Sequence, residues 1–553
     1  MRAVPLQRRL SRIRYPLRLR DVSRRIVRRH GVRRQFDEVP NLTKLTRRSL
    51  IRAGLSASAW TFAAACSPAR SLAPGRPTRS GATPSSATPQ STPRASEHVP
   101  PGPLALTTPT ARPPEAGSTS TQVSESRQAV RSVGSLGRAY RAYPEVAGTV
   151  QFANCWDGPI ISLVEGWIAD MAALYPSIKV ESVLADAASM REQLVTALAS
   201  GAPPNAIMLK SDSIAFFAEQ GALLPLDGLL ARDGISGDWF PPSELASRTW
   251  DGHIFGLPQT TDSAQHLLFV NVALLDKIGV DPARPIRTWQ DLDALVDPAR
   301  RAGLLVMDPT RVAVGMTAHQ VWTYANGGRY WDVELKKISW PEPAGVESAE
   351  WLMRFVKAQA GSYERLASDG DPRTPLSARE WAAARYVCCV NGAGWPFQLQ
   401  MPGHRTNYSV YEFPTNGENP RSIGETPTTG GWTLVIPRTS RDQEAAWEWL
   451  KLTTVSDSAC AFTERQGRPS PLAGYDDRSG LRATHPYWAT IGASIAKSVP
   501  VPVAPIQPRL EQVYRAMQEA ILLERRSSND ALESAARDAQ QLLDNWNAKR
   551  KRG

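Results

Sequence analysis

The chain has 553 residues, length for more than one domain, and a formal net charge of +12. That charge is confined to the start: residues 1–65 hold seventeen Arg and Lys against Asp21, Asp37 and Glu38, a net +14, which leaves −2 for everything downstream. A nucleic-acid-binding protein carries its positive charge on the folded domain, so the balance argues against that class.

Residues 1–40 are Arg-dense and read either as an extended leader or as the product of a start codon placed too early. Thr46-Arg47-Arg48-Ser49-Leu50-Ile51 then precedes Ala53–Ala65, an uncharged run of 13 residues. A membrane-spanning helix needs about 20 apolar residues, so the run fits the core of a cleavable signal. Arg47 and Arg48 match the address of the twin-arginine export route. Ala63-Ala64-Ala65 are small enough for a peptidase to approach, and the Cys66 thiol is then free to carry a lipid. Ala63 stands three residues before the cysteine, where lipoprotein signals usually carry Leu. The blander reading is a short buried helix. Residues 1–65 are therefore expected to be leader and signal, with the mature protein exported and held by a lipid on Cys66 at the outer face of the cytoplasmic membrane.

From Ser67 to about Gln128, Pro, Ser, Thr and Ala dominate and large apolar residues are nearly absent. Such a segment buries too little surface to offset its ordering entropy, and its prolines keep it extended. Residues 66–145 read as a tether and 146–547 as the folded domain.

Within that domain Gly148–Asn154 alternates like a strand, and Pro159 to Tyr175 places Ile160, Leu163, Val164, Trp167 and Met171 on one helical face. Ile178–Val183 is a second strand, Met190 to Ala199 a helix, and Ala206–Leu209 a third, fully apolar strand, with Asp212 able to cap the helix after it. Strand–helix alternation predicts an α/β domain with a mainly parallel sheet. Ligands of such sheets bind beyond the carboxyl ends of the strands, which here carry Asn154-Cys155-Trp156-Asp157 and Lys210-Ser211-Asp212. Two helices, Leu510 to Leu523 and Asn529 to Trp546, end the chain, the last capped by Asn529 or Asp530. The cysteines Cys66, Cys155, Cys388, Cys389 and Cys460 make no disulfide framework, although a Cys155–Cys460 bridge stays open. Cys388 and Cys389 sit in a strand-like run as apolar fillers, and no Cys/His spacing suits zinc.

Several blocks in order resemble the extracellular solute-binding proteins of ATP-driven importers, most closely the carbohydrate-binding group. Gly221-Ala222-Leu223-Leu224-Pro225-Leu226-Asp227, Gly252-His253-Ile254-Phe255-Gly256-Leu257-Pro258 and Leu268-Phe269-Val270-Asn271 carry the likeness. So do Thr288-Trp289-Gln290-Asp291-Leu292, Ala325-Asn326-Gly327-Gly328, Val390-Asn391-Gly392-Ala393-Gly394-Trp395 and Gly430-Gly431-Trp432-Thr433-Leu434-Val435-Ile436-Pro437. The resemblance covers about residues 146–547. It implies a two-lobed α/β binding fold of the second type, with lobes joined by crossover strands around a ligand cleft. One lobe would take 147–262 and 430–480, the other 263–429 and 481–553. Hinge closure would trap the solute, and the closed form would be presented to a membrane permease.

A saccharide site needs flat aromatics for C–H faces and planar polar groups for hydroxyls, and the chain has 17 Trp. Trp395 and Trp432 occupy positions that commonly face ligand in the family, and Arg468 lies in a loop that often closes over the site. Trp156, Asp157 and Asp212 lie at strand ends, and Trp322 precedes the Gly-Gly of the second lobe. These seven are the expected ligand residues. Trp167, Trp447 and Trp449 are expected to pack. No catalytic residue, cofactor or metal is expected, and the protein is expected to be a monomer that binds no nucleic acid. The rival readings are a surface-tethered carbohydrate-active enzyme and a lipoprotein of the same fold with a signalling or structural role. Ser494-Ile495-Ala496-Lys497 matches the S-x-x-K of penicillin-interacting acyl enzymes, but the companion S-D-N and K-T-G are absent.

Overall fold

The computed structural model describes residues 129–551, apart from 313–316, 333, 335, 369, 371–375, 384, 401–405 and 429. Arg47, Arg48, Cys66 and most of the Pro-rich stretch lie outside the described residues. The described chain opens on a hairpin of β1 (Ala129–Val133) and β2 (Arg138–Ala142), inside the stretch that composition assigns to the tether. Val133, Leu136, Tyr140 and Ala142 are buried in the first core. The Gly134 and Ser135 N–H groups each donate to the Asp457 carboxylate at 3.2 Å, and Lys451 Nζ donates to Arg141 O at 2.7 Å. Four buried side chains are enough to dock a hairpin, and a compositional average over eighty residues hides them.

The next strands alternate with helices, as the apolar periodicity requires. They are β3 (Gly148–Asn154), β4 (Ile178–Leu184) and β5 (Ala206–Lys210), followed by the two-residue pair β6 (Thr249–Trp250) and β7 (His253–Ile254), then β8 (Leu257–Pro258). A second set comprises β9 (Leu267–Asn271), β10 (Cys388–Asn391) and β11 (Tyr408–Tyr411). The last three are β12 (Thr426–Thr428), β13 (Trp432–Val435) and β14 (Ser498–Pro500).

The first sheet has the order β4-β3-β5-β13-β8. β3 runs parallel to β4 and β5, whereas β13 returns from far along the chain and lies antiparallel to both β5 and β8. The sheet is therefore mixed. The second sheet, β10-β9-β11, is antiparallel throughout, which strand–helix alternation gave no reason to expect.

Each sheet has its own core. Phe152, Met208, Leu434, Trp167, Trp447 and Trp449 belong to the first. Phe269, Trp289, Trp351 and Trp395 belong to the second. A third cluster around Trp340, Tyr514 and Leu532 fixes the C-terminal helices Gln507–Leu522 and Ser528–Arg550 beside helix Pro343–Ala360. Ser527 caps the last helix, its hydroxyl accepting from Asp530 N at 3.2 Å, so neither Asn529 nor Asp530 is the cap. The chain passes between the two cores from β8 to β9, from β12 to β13, and again between Tyr475 and Ile491. This is a two-lobed α/β architecture. Cys155, Cys388, Cys389 and Cys460 are free thiols, so the Cys155–Cys460 bridge is not formed.

Candidate functional site

A cavity of about 170 Å³ lies where the two lobes meet. Trp156, Lys210, Trp432 and Arg468 reach it from the first lobe, and Gln265, His266, Asn391, Trp395 and Gln398 from the second. The positions follow from the strands. Trp156 comes two residues after β3, its N–H donating to Asn154 Oδ1 at 3.1 Å while Asn154 Nδ2 donates to Ser182 Oγ at 2.9 Å. Lys210 ends β5 and Trp432 begins β13, directly opposite each other in the ladder. Lys210 Nζ therefore sits 3.8 Å from the Trp432 ring centroid and donates to Gly430 O. Trp156 and Trp432 meet edge to face, centroids 6.0 Å apart. Trp395 starts a short helix, Trp395–Leu399, beyond β10 and packs against Phe269 and Trp381 at 4.8 and 5.0 Å.

Burial shapes the electrostatics. It pulls the Lys210 ammonium down to about 8, against the opposing fields of Cys155, Asp212 and Asp262. It likewise lowers Arg468 to about 10. His266 falls to about 3 through burial and the nearby Lys210 charge, so its imidazole is neutral at pH 7. The Arg468 guanidinium lies over Gly394, where an added Cβ would stand 2.1 Å from Nη2. A side chain at 394 would displace the guanidinium.

Two crossover segments behind the cavity are bound together. Asp262 Oδ1 accepts from Gly431 N at 2.8 Å and Ser211 Oγ at 3.0 Å. Its Oδ2 accepts from Ser247 Oγ at 2.7 Å and Arg248 Nη1 at 3.1 Å. Arg248 and Glu244 are buried with it, and Glu244 Oε2 accepts from Asp262 N at 3.0 Å.

Residues 161–456 match the family model of bacterial extracellular solute-binding proteins. The chain belongs to that family. As a solute-binding protein it shares its fold with an ABC transporter solute-binding protein of Thermotoga lettingae, crystallised with alpha-D-tagatose (22% identity, TM-score 0.61, covering 72% of this chain and 100% of that one). It is similar also to the GacH receptor of Streptomyces glaucescens, crystallised unliganded and with acarbose (19% identity, TM-score 0.62, 72% and 99% covered). A probable sugar-binding periplasmic protein of Rhizobium meliloti is 32% identical over 106 residues, 19% of this chain and 24% of that protein. The alignment thus spans about a quarter of that relative's length.

Solute-binding proteins of this family bind rather than convert, and the serine–lysine motif of this one is not assembled for acyl transfer. Ser494 is buried near the end of helix Trp488–Ala496, while Lys497 Nζ is held by the Glu412 carboxylate.

Of the seven expected ligand residues, Trp156, Trp395, Trp432 and Arg468 line one cavity. Three do not. Trp322 is wholly buried, donating from Nε1 to Pro309 O at 2.9 Å and packed at a tilt against Trp351 and Phe413, with both ring centroids 4.5 Å away. Every residue of its helix, Ala318–Ala325, is buried, so there is no cleft-facing side for it to occupy. Asp157 is exposed at the head of the 3-10 turn Gly158–Ile160, outside the cavity lining. Asp212 lines a smaller neighbouring cavity of about 60 Å³ with Arg191, Glu511 and Arg515. It caps no helix: it sits within the 3-10 turn Ser211–Ser213 and accepts from Ser213 Oγ at 3.2 Å. Lys210, Gln265, His266 and Asn391 line the cavity but were not among the expected residues. The signal for Lys210 and Asn391 was their place at the end of an apolar strand. Trp167 donates to Ser458 O at 3.1 Å, and Trp167, Trp447 and Trp449 all lie in the first core.

Proposed function

We propose that the protein is the extracytoplasmic binding component of an ABC importer, lipid-anchored through Cys66, which captures a sugar or oligosaccharide by closure of its two lobes and delivers it to a membrane permease. The reading rests chiefly on the cavity where Trp156 and Trp432 of one lobe face Trp395 of the other, among the neutral donors and acceptors of Gln265, Asn391 and Gln398. Aromatic faces and planar amides are what pyranose C–H faces and hydroxyls require. The names of the relatives, with their tagatose, acarbose and sugar-binding descriptions, support the same class of solute. Arg47, Arg48, Cys66 and the Pro-rich stretch support export and anchoring, with lobes of about 147–262 with 430–480 and 263–429 with 481–553 acting as a monomer.

Calorimetry and tryptophan fluorescence against an oligosaccharide panel test the binding claim. Saturable binding without product release is expected. Release of a hydrolysed glycoside would sink it, and binding of a peptide or polyamine in place of any sugar would redirect it. N-terminal sequencing and the intact mass of the mature protein check the cleavage at Cys66 and the lipid.

A further inference from the structure

The cavity lining carries positive charge with no described acidic residue paired to it. Lys210 and Arg468 both line it, and among the described residues no Asp or Glu does. Among the described residues neither cation has an ion-pair partner within 4.0 Å. Among the described residues Lys210 donates to the Gly430 carbonyl and rests on the Trp432 face, contacts that polarise but do not neutralise it. Arg468 Nε is buried without a hydrogen-bond partner, and the guanidinium carbon stands 5.7 Å from the Trp156 ring centroid.

The acids nearby, Asp212 and Asp262, act on Lys210 only from outside the cavity lining. Asp262 serves Arg248, Ser247, Ser211 and the Gly431 N–H. Asp212 faces the adjoining cavity with Glu511, Arg191 and Arg515. His266 is uncharged at pH 7 and supplies no compensation. Two half-buried cations lining one cavity are costly unless paired, and burial already weakens the hold of both on their protons. A neutral solute would close the cavity over them and leave that cost in place.

We propose that the captured saccharide is anionic, presenting a carboxylate or a phosphate to Lys210 Nζ and the Arg468 guanidinium while its ring faces Trp156, Trp395 and Trp432. The proposal rests on the saccharide reading above and narrows its chemistry. Arginine supplies a planar fork that matches either oxyanion and lysine a point charge. Gly394 keeps the fork at its station by having no side chain beneath it. Thr260, Gln265, Asn391 and Gln398 remain for the hydroxyls.

Titration calorimetry on the full mature chain with matched pairs tests this. The pairs are galacturonate against galactose, digalacturonate against digalactose, and glucose 6-phosphate against glucose, with citrate and inorganic phosphate alone as sugar-free anions. The acidic member of at least one pair is expected to bind about ten- to a hundredfold tighter than its neutral partner, and to weaken with added salt. Lys210→Met and Arg468→Met should each erase most of that preference. Arg468→Lys, which keeps the charge, should retain part of it and guards against loss through misfolding. The uronate and phosphate arms tell the two oxyanions apart. Neutral sugars binding as tightly as acidic ones would overturn the charge assignment and leave the saccharide reading standing. Citrate or phosphate binding as tightly as the acidic sugars would overturn the saccharide and keep the anion. No binding by any acidic probe at millimolar concentration would overturn the proposal outright.

Discussion

Asp262, on the first crossover, accepts a hydrogen bond from the Gly431 N–H on the second at 2.8 Å, tying together two of the segments that join the lobes. A Cβ at 431 would stand 2.2 Å from Asp262 Oδ1 and 2.8 Å from Thr260 O. Gly431→Ala should therefore cost about 1–3 kcal/mol through forced separation of the crossovers. Asp262→Asn should cost more, about 3–5 kcal/mol, because it strips the buried Arg248 of its main partner. Urea denaturation of both variants gives the comparison. Equal stability of Asp262→Asn and the parent would show that Glu244 alone suffices for Arg248.

Three of the four tryptophans expected to touch ligand should separate by readout. Trp432→Ala and Trp395→Ala should each weaken saccharide binding by about 1–3 kcal/mol if they stack on it. Trp395→Ala should also lower stability by about 3–5 kcal/mol, since only 3% of Trp395 is exposed. Trp322→Ala should show the same stability loss with affinity unchanged, because it packs on Trp351 and Phe413 away from the cavity. Calorimetry at a temperature where all three remain folded separates these outcomes. An affinity loss in Trp322→Ala as large as in the others would contradict its placement.

Asp212 links stability to pH. Burial, then the neighbouring Glu511, raise its carboxyl from 3.8 to about 7, against the pull of Arg191, Lys210 and the Ser213 hydroxyl. Arg515 and Glu192 complete the charged lining, and Glu511 is itself raised by burial while paired to Arg191 at 3.0 Å. The folded pKa lies above the unfolded one, so the folded state holds an extra proton in the window from 3.8 to about 7 and stability falls as pH rises through it. Asp212→Asn should flatten that decline. Glu244 is also raised to about 7 and titrates in the same window, so the flattening should be partial. Melting temperatures of parent and variant from pH 4 to pH 8 provide the check, and parallel profiles would exclude Asp212.

The hairpin should be part of the folded unit. Tyr140 is 3% exposed and lies beside the Lys451 ammonium, 5.5 Å from its ring centroid. Tyr140→Ala should destabilise the protein by about 3 kcal/mol, and a chain starting at Val146 should melt earlier than one starting at Ala129. Identical melting of the two would mean that the hairpin contributes nothing.

Apolar periodicity was a good guide wherever an element had one wet face. Met190 to Ala199 reads as a helix from the sequence and is one, and β3 and β5 fall on the runs that alternation and apolarity mark. It failed where burial is all-round: the helix carrying Trp322 has no polar face to reveal its orientation. Of the candidate site, residue type picked out the aromatic and forked groups, Trp156, Trp395, Trp432 and Arg468. It passed over Lys210 because a lysine at a strand end usually points to water. Only the return of β13 from more than two hundred residues away puts Trp432 and Gly430 around its ammonium. His266 was invisible for the same reason, since its neutrality comes from neighbours distant in the chain.

Arg468 belongs to the lobe of Phe462 and Gly394 to the lobe of Trp395, so the guanidinium resting on that glycine is a contact between the two lobes. Its consequence is kinetic. If the lobes close on solute as proposed, a solute enters before the arginine settles and departs after it lifts, so position 394 should set residence time more than capture rate. A methyl group there would displace the guanidinium and should shorten the dwell.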